Sequence, residues 1–298
     1  MSTDHREIDR IVTAALDEDA PWGDLTSETL IPADATATAA LVAREAGVLS
    51  GVEVFAAAFR IVDPSIAVER LAADGDRFAA GEVLARVHGP ARGILTGERV
   101  ALNLLQRMSG VATLTAAYVA AVAGTRARIV DTRKTTPGLR SLERQAVRDG
   151  GGRNHRRSLS DAIMAKDNHL AVLTAGGVDL ASALRDARER MPHTAHLEVE
   201  IDRLDQLDAV LAGGVDTIML DNFATDDLRE GVRRIDGRAV VEASGGVNLD
   251  TVAAIAATGV DVISVGALTH SARALDLGLD VDIALGEPAG GPAGQGHP

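Results

Sequence analysis

Lysine occurs at two positions only, Lys134 and Lys166, in a chain with 30 basic residues, and all the others are arginine. A guanidinium is a broad planar fork, whereas an ammonium is a compact point charge that fits a single phosphate or carboxylate oxygen. Two positions that escape a general exchange to arginine are candidates for chemistry. Both lie in a basic segment of an acidic protein: the net charge is -13, yet Arg126 to Lys166 holds eleven Arg and Lys against four Asp and Glu. Concentrated positive charge draws anions. The acidic remainder repels a nucleic-acid backbone, and four Phe, one Trp and one Tyr offer little on which to stack bases. The expected ligand is a small anion, with no nucleic-acid partner.

Further reactive groups stand at the ends of strand-like runs. "ARIVDT" leads into Arg133 and Lys134, "AHLEVEI" carries Glu198 and Glu200, and "DTIMLDN" ends in Asp221 and Asn222. "RAVVEASGG" contains Glu242 and ends in Ser244, Gly245 and Gly246, and "DVISVGA" reaches Gly266. Alternation along "HLEVEI" puts Leu197, Val199 and Ile201 on one face and His196, Glu198 and Glu200 on the other. With the apolar face against outer helices, both carboxylates point inward, where acids are uncommon unless paired or bound to a cation. "SGG" and "SVGA", each opening a helix, suit a phosphate, because glycine lets a ligand approach the backbone and helix N–H groups favour an anion. The run "GGGRNHRRSLSDAIMAKDNH", Gly150 to His169, gathers His155, Arg156 and Lys166 beside what reads as a mobile glycine loop. Together with Arg133 and Lys134 these make an anion trap. Glu200 and Asp221 opposite are candidate ligands for a divalent metal, and the implied ligands are a phosphorylated sugar with magnesium and a second, carboxylated compound.

The elements that must hold these groups follow from periodicity. Ile8, Ile11, Val12, Ala15 and Leu16 repeat at helical spacing. From Ala35 to Gly89, β-type runs ("TATAALVAR", "SIAVERL", "GEVLARV") and one helix ("VEVFAAAFRIV") read as a small α/β sandwich. The hairpin-like "DGDRFAAGEVLARVHGPA" has no lysine at its turn to carry a cofactor. "ILTGERVALNLLQRMSG" and "LTAAYVAAVAG" read as two buried helices. Beyond Arg128, strand-then-helix units recur, the last three strands at about 22-residue spacing, which is the rhythm of a β/α barrel. In such a barrel functional groups collect at the carboxyl ends of the strands. The expected fold is α/β: an N-terminal α/β sandwich over 1–112, an incomplete parallel β/α barrel over 113–285 whose last segment returns to the first domain, and a disordered Gly/Pro-rich tail over 286–298. No apolar run approaches the roughly 20 residues of a spanning helix, so no membrane partner and a cytoplasmic location are expected. With no cysteine, disulfides, thiolate catalysis and Cys-based zinc sites are excluded.

These segments closely resemble the quinolinate phosphoribosyltransferase family, in "EDAPWGDLTS", "ERVALNLLQRMSGVAT", "DTRKTTPGLR", "AVRDGGGRNHRRSLSDAIMAKDNH", "EVEI", "MLDNF", "EASGGVN" and "SVGALTHS". The resemblance covers nearly the whole chain, and eight motifs in one order make it specific. It implies transfer of phosphoribose from phosphoribosyl pyrophosphate to quinolinate with loss of CO2, giving nicotinate mononucleotide for NAD synthesis. It also implies a homodimer with shared sites, higher assembly being left open. By resemblance Arg133, His155, Arg156 and Lys166, with Arg107 of the neighbouring subunit, surround quinolinate. Lys134, Glu200 and Asp221 serve the pyrophosphate, ribose and Mg2+, and Ser244, Gly245, Gly246, Gly266 and His270 hold the 5-phosphate. Arg157 is additional to the family pattern. Residue types alone leave two alternatives open: a phosphoribosyltransferase acting on another carboxylated ring, and a non-catalytic sensor of phosphoribosyl compounds.

Overall fold

The computed structural model describes residues 4–285; the tail expected to be disordered, 286–298, lies outside them. The chain divides into two compact units, one running to Gly110 and resuming at Ala274, the other spanning Val111–Arg273. Along the chain the strands are β1 (Thr36–Ala43), β2 (Gly47–Val48), β3 (Ala67–Arg70), β4 (Arg77–Phe78), β5 (Val83–Pro90), β6 (Arg128–Val130) and β7 (Ala162–Ala165). There follow β8 (His196–Ile201), β9 (Thr217–Asp221), β10 (Val240–Ser244), β11 (Val262–Ser264) and β12 (Leu277–Ala284). Among the described residues no helix is long and apolar enough to cross a membrane.

In the first unit β12, β1, β5 and β3 form an antiparallel sheet in that order. Strand β1 alternates as a one-sided strand should, burying Ala37, Ala39, Leu41 and Ala43. Helix Val52–Val62 is apolar on most sides and buries Phe55 and Phe59, whose rings meet edge to face with centroids 5.0 Å apart. Helix His5–Asp19 begins at Asp4, whose carboxylate accepts from the Arg6 N–H, and it buries Ile8, Ile11 and Val12.

The two helices expected from "ILTGERVALNLLQRMSG" and "LTAAYVAAVAG" are one helix, Ala91–Ala121. Ser109 and Gly110 look like a break in sequence, but the Ser109 hydroxyl is fully buried and bonded to Ser50, accepting from its N–H at 3.2 Å and donating to its carbonyl at 3.3 Å. Tertiary hydrogen bonding outweighs the weak local preference of this pair for a helix end.

The second unit is an incomplete parallel β/α barrel, with strand order β6-β11-β10-β9-β8-β7 and every pairing parallel. Residues 217–220 of β9 are all buried, as expected of a strand covered on both faces. The sheet stays open between β6 and β7, and beside β6 an isolated parallel bridge joins Val130 to Arg153. Strand β7, "AIMA", is not among the strands read from the sequence, because it is four residues long and has no alternation. Two glycines of the run Gly150 to His169 answer to packing: a Cβ on Gly150 would lie 2.3 Å from the carbonyl oxygen of Ala112, and one on Gly152 2.7 Å from Thr115 Cγ2.

Candidate active site

Strand carboxyl ends deliver the site. β6 runs into Arg133 and Lys134, β7 into Lys166, β8 carries Glu200 as its penultimate residue, β9 ends at Asp221 and β10 at Ser244. All six, with His155 and Arg156, line a cavity of about 440 Å3 at that end of the barrel. Lys166 Nζ pairs with Glu200 Oε2, Asn222 Nδ2 donates to Asp221 Oδ2 at 2.7 Å, and Arg133 Nε is buried without a hydrogen-bond partner. A buried donor left open beside a cavity awaits an acceptor. Burial, and after it the like charge of Arg133, holds the pKa of Arg156 below its ordinary value.

The turn after β10 is built on a close approach. Gly245 has φ +86°, and a Cβ there would lie 2.1 Å from Asn222 Oδ1, while the Asn222 N–H donates to Ser244 O at 2.8 Å. Gly246 follows with φ +60°, so two successive left-handed residues turn the backbone beside Ser244. At Gly266, which precedes the short helix Ala267–His270, the nearest atoms to a Cβ would be His270 Nε2 at 3.1 Å and Lys134 Cδ at 3.2 Å. The predicted phosphate residues thus lie about the carboxyl ends of β10 and β11, with Lys134 beside Gly266. Arg107 belongs to the first unit, in helix Ala91–Ala121, whereas the other site residues belong to the second.

Deeper in the barrel His155 places Nε2 at 3.1 Å from Glu198 Oε2 and 3.5 Å from Glu242 Oε2. Both carboxylates are buried, and the Oε1 of each has no partner. Burial disfavours a charged imidazole, but the bonds to Glu198 and Glu242 outweigh it and push the His155 pKa to about 10. Burial raises the pKa of Glu198. The inward pair expected on β8 is therefore split by depth: Glu200 lines the ligand cavity, and Glu198 lines a second cavity of about 340 Å3 reached by the strand beginnings at His196, Thr217 and Val262. His155, Arg156 and Glu242 line both. Because the Arg156 N–H also lies 2.8 Å from Nδ1, His155 offers a ligand its ring and its charge, with neither nitrogen free.

Sequence reasoning passed over the groups that hold this site in shape. Asp131, fully buried, accepts from the His155 N–H at 2.7 Å and from Asn154 Nδ2 at 2.6 Å. Glu143, also fully buried, accepts from the Thr136 N–H at 3.0 Å and hydroxyl at 2.7 Å, fixing the loop after Lys134. It stands on the inward face of the helix Arg140–Asp149, an element not read from the sequence.

Fold and cavity together define an α/β-barrel protein made to take polyanionic small molecules. Two family models match the chain: the N-terminal domain of quinolinate phosphoribosyl transferase over residues 24–109 and its C-terminal domain over residues 111–280. The nicotinate-nucleotide pyrophosphorylase (carboxylating) of Mycobacterium leprae is 46% identical over 279 residues, covering 91% of this chain and 95% of that protein. The probable enzyme of the same name from Bacillus subtilis is 40% identical, over 94% and 95%. The crystal structure of NadC from Streptococcus pyogenes superposes with a TM-score of 0.90 at 39% identity, covering 95% of this chain and 99% of that one. The chain belongs to the quinolinate phosphoribosyltransferase family.

Proposed function

We propose that the barrel cavity takes quinolinate against Arg133, Arg156 and Lys166 and phosphoribosyl pyrophosphate against Lys134 and the turns at Ser244, Gly245, Gly246, Gly266 and His270. The chain is a pentosyltransferase of NAD biosynthesis: it joins the pyridine nitrogen of quinolinate to C1 of the ribose, releasing pyrophosphate and, from the ring, CO2. The observation that carries the site assignment is the convergence of four lysine and arginine side chains, the His155 ring and three carboxylates on one cavity at the strand ends.

Each group has work suited to its chemistry. Arg133 presents an open buried donor to a ring carboxylate, and a guanidinium can grip such a group through two nitrogens. Lys134 sets a point charge by the leaving pyrophosphate. As the C1–oxygen bond breaks, positive charge develops on the ribose, and Glu200 and Asp221 stabilise it electrostatically. Attack by nitrogen makes the ring cationic; the adjacent positive nitrogen stabilises the electron pair left on the ring carbon when the carbon–carboxylate bond breaks, and a proton taken up from water at that carbon completes nicotinate mononucleotide. The imidazolium of His155, held by Glu198 and Glu242, adds positive charge to the pocket wall near the carboxylates. Glu200 and Asp221 fit Mg2+, a hard cation that takes one or two carboxylates along with substrate oxygens. When bound, the ion neutralises charge on the departing pyrophosphate.

Arg107 lies outside the barrel unit, and by family resemblance it serves the cavity of the partner subunit in a homodimer. A cytoplasmic location is part of this reading. The ring specificity is tested by offering nicotinate in place of quinolinate at equal concentration: mononucleotide formed from quinolinate with little from nicotinate supports the reading, and equal or better use of nicotinate contradicts it.

A further inference from the structure

The barrel is open between β6 and β7, yet Arg156 must stand beside Arg133 for a carboxylate to meet both. The segment that carries it, Arg153 to Arg156, belongs to no strand. It is nevertheless bonded to β6 like one: Arg153 N–H donates to Ile129 O at 2.9 Å and Asp131 N–H to Arg153 O at 3.1 Å. Beyond that point the backbone ladder stops and a side chain takes over. Asp131 Oδ1 accepts the His155 N–H at 2.7 Å, and its Oδ2 accepts Asn154 Nδ2 at 2.6 Å. Asn154 Oδ1 in turn accepts from Arg148 Nη1 at 2.6 Å, and Arg144 Nη1 donates to His155 O at 2.8 Å while lying 3.4 Å from Asp131 Oδ1. Asp131 is 0% exposed, and no ligand cavity includes it. A carboxylate withdrawn so far from water persists only where its bonds are filled, and here two of them end on the segment that presents His155 and Arg156.

We propose that Asp131 is a positioning residue for quinolinate: it extends β6 by its side chain and fixes Asn154–Arg156 as the missing neighbour strand, so that Arg156 shares the cavity wall with Arg133. This rests on the assignment of quinolinate to that wall. Phosphoribosyl pyrophosphate depends on Asp131 less: it is assigned to the turns after β10 and β11 and to Lys134, whose backbone carbonyl accepts from the Thr269 hydroxyl at 2.7 Å and whose loop, among the described residues, takes no bond from the Asp131 side chain.

Asp131→Asn keeps the shape but sets an amide against the Asn154 amide, so a donor faces a donor. Loss of a charged hydrogen bond of this kind corresponds to roughly tenfold weaker binding or more. The expected result is a quinolinate KM raised by about tenfold or more with the phosphoribosyl pyrophosphate KM changed less than about threefold. The double variant Asp131→Asn with Asn154→Asp exchanges donor and acceptor across the pair, keeps the total charge and leaves Arg148 a carboxylate to bond, but loses the bond that Asn154 Nδ2 donates to the Arg144 carbonyl at 2.9 Å. It should recover part of the loss, lowering the quinolinate KM about threefold or more from that of Asp131→Asn alone. Arg156→Ala serves as the control. If it leaves the quinolinate KM unchanged, the wall assignment fails and the proposal with it. If it weakens quinolinate while Asp131→Asn leaves that KM within about twofold, or raises both substrates' KM alike without rescue by the exchange, Asp131 has no positioning role and only the proposal here is overturned.

Discussion

His155 Nε2 lies 3.1 Å from Glu198 Oε2 inside the barrel, and the second carboxylate of Glu242 stands 3.5 Å from the same nitrogen. The Arg156 N–H at Nδ1 suits a neutral ring, whereas two buried carboxylates suit a charged one. We assign the charged ring, because among the described residues no other cation pairs with either carboxylate, and two buried anions outweigh one amide hydrogen bond. Burial alone would lower the His155 pKa; the carboxylates raise it to about 10. A raised pKa means that the stabilisation is fully present below the ordinary histidine value, about 6.5, and fades as pH climbs through about 10. By NMR the His155 ring signals should therefore stay constant between about pH 6 and 8.5, and Glu242→Gln should bring the midpoint down. A wild-type midpoint near the ordinary value contradicts the assignment.

Lys166 pairs with Glu200, and Lys134 lies against Gly266. Exchange of either for arginine keeps charge and widens the head group. Turnover should fall by about tenfold or more, roughly 1.4 kcal/mol of transition-state stabilisation. Wild-type turnover in both variants removes the reason given for these two lysines.

Gly245 answers to geometry on two counts, its φ of +86° and the 2.1 Å approach of Asn222 Oδ1 to a Cβ. Gly245→Ala should cost about 1–3 kcal/mol in thermal or denaturant unfolding and raise the KM for phosphoribosyl pyrophosphate more than that for quinolinate. Gly246→Ala, also at positive φ but with open space around it, should be milder in both. Equal effects would show that the contact with Asn222 is not what demands glycine.

The parts of the fold most legible in sequence were those with strong periodicity. β8, β9 and β10 announce themselves by unbroken or alternating apolar runs, and their ends name Glu200, Asp221 and Ser244. β7 is four residues long without alternation, and the helix Ala91–Ala121 runs through a Ser-Gly pair that reads as a stop. In the site, charge and glycine marked the residues that face a ligand. The residues that face those residues carried no mark: Asp131 and Glu143 look like ordinary acids in a basic stretch, and Glu242 pairs with His155 across a separation that only the barrel closes. Long-range pairing is invisible to local pattern.

Arg107 offers a test of shared sites. Arg107→Ala and Lys134→Ala should each be nearly inactive. Mixed and allowed to exchange subunits at random, half the dimers should be hybrid, with one cavity intact in each, and activity should return to about a quarter of wild type. Demonstrated exchange with no recovery would mean that Arg107 does not serve the partner's cavity.

Decarboxylation through a cationic ring ties the loss of CO2 to the arrival of phosphoribose. The protein is incubated with quinolinate labelled in its 2-carboxylate and Mg2+, with and without phosphoribosyl pyrophosphate, and labelled CO2 is followed beside nicotinate mononucleotide. Release should be absent without phosphoribosyl pyrophosphate and equal, mole for mole, to nicotinate mononucleotide with it. CO2 at full rate from quinolinate alone, or none when both substrates are present, would contradict the account.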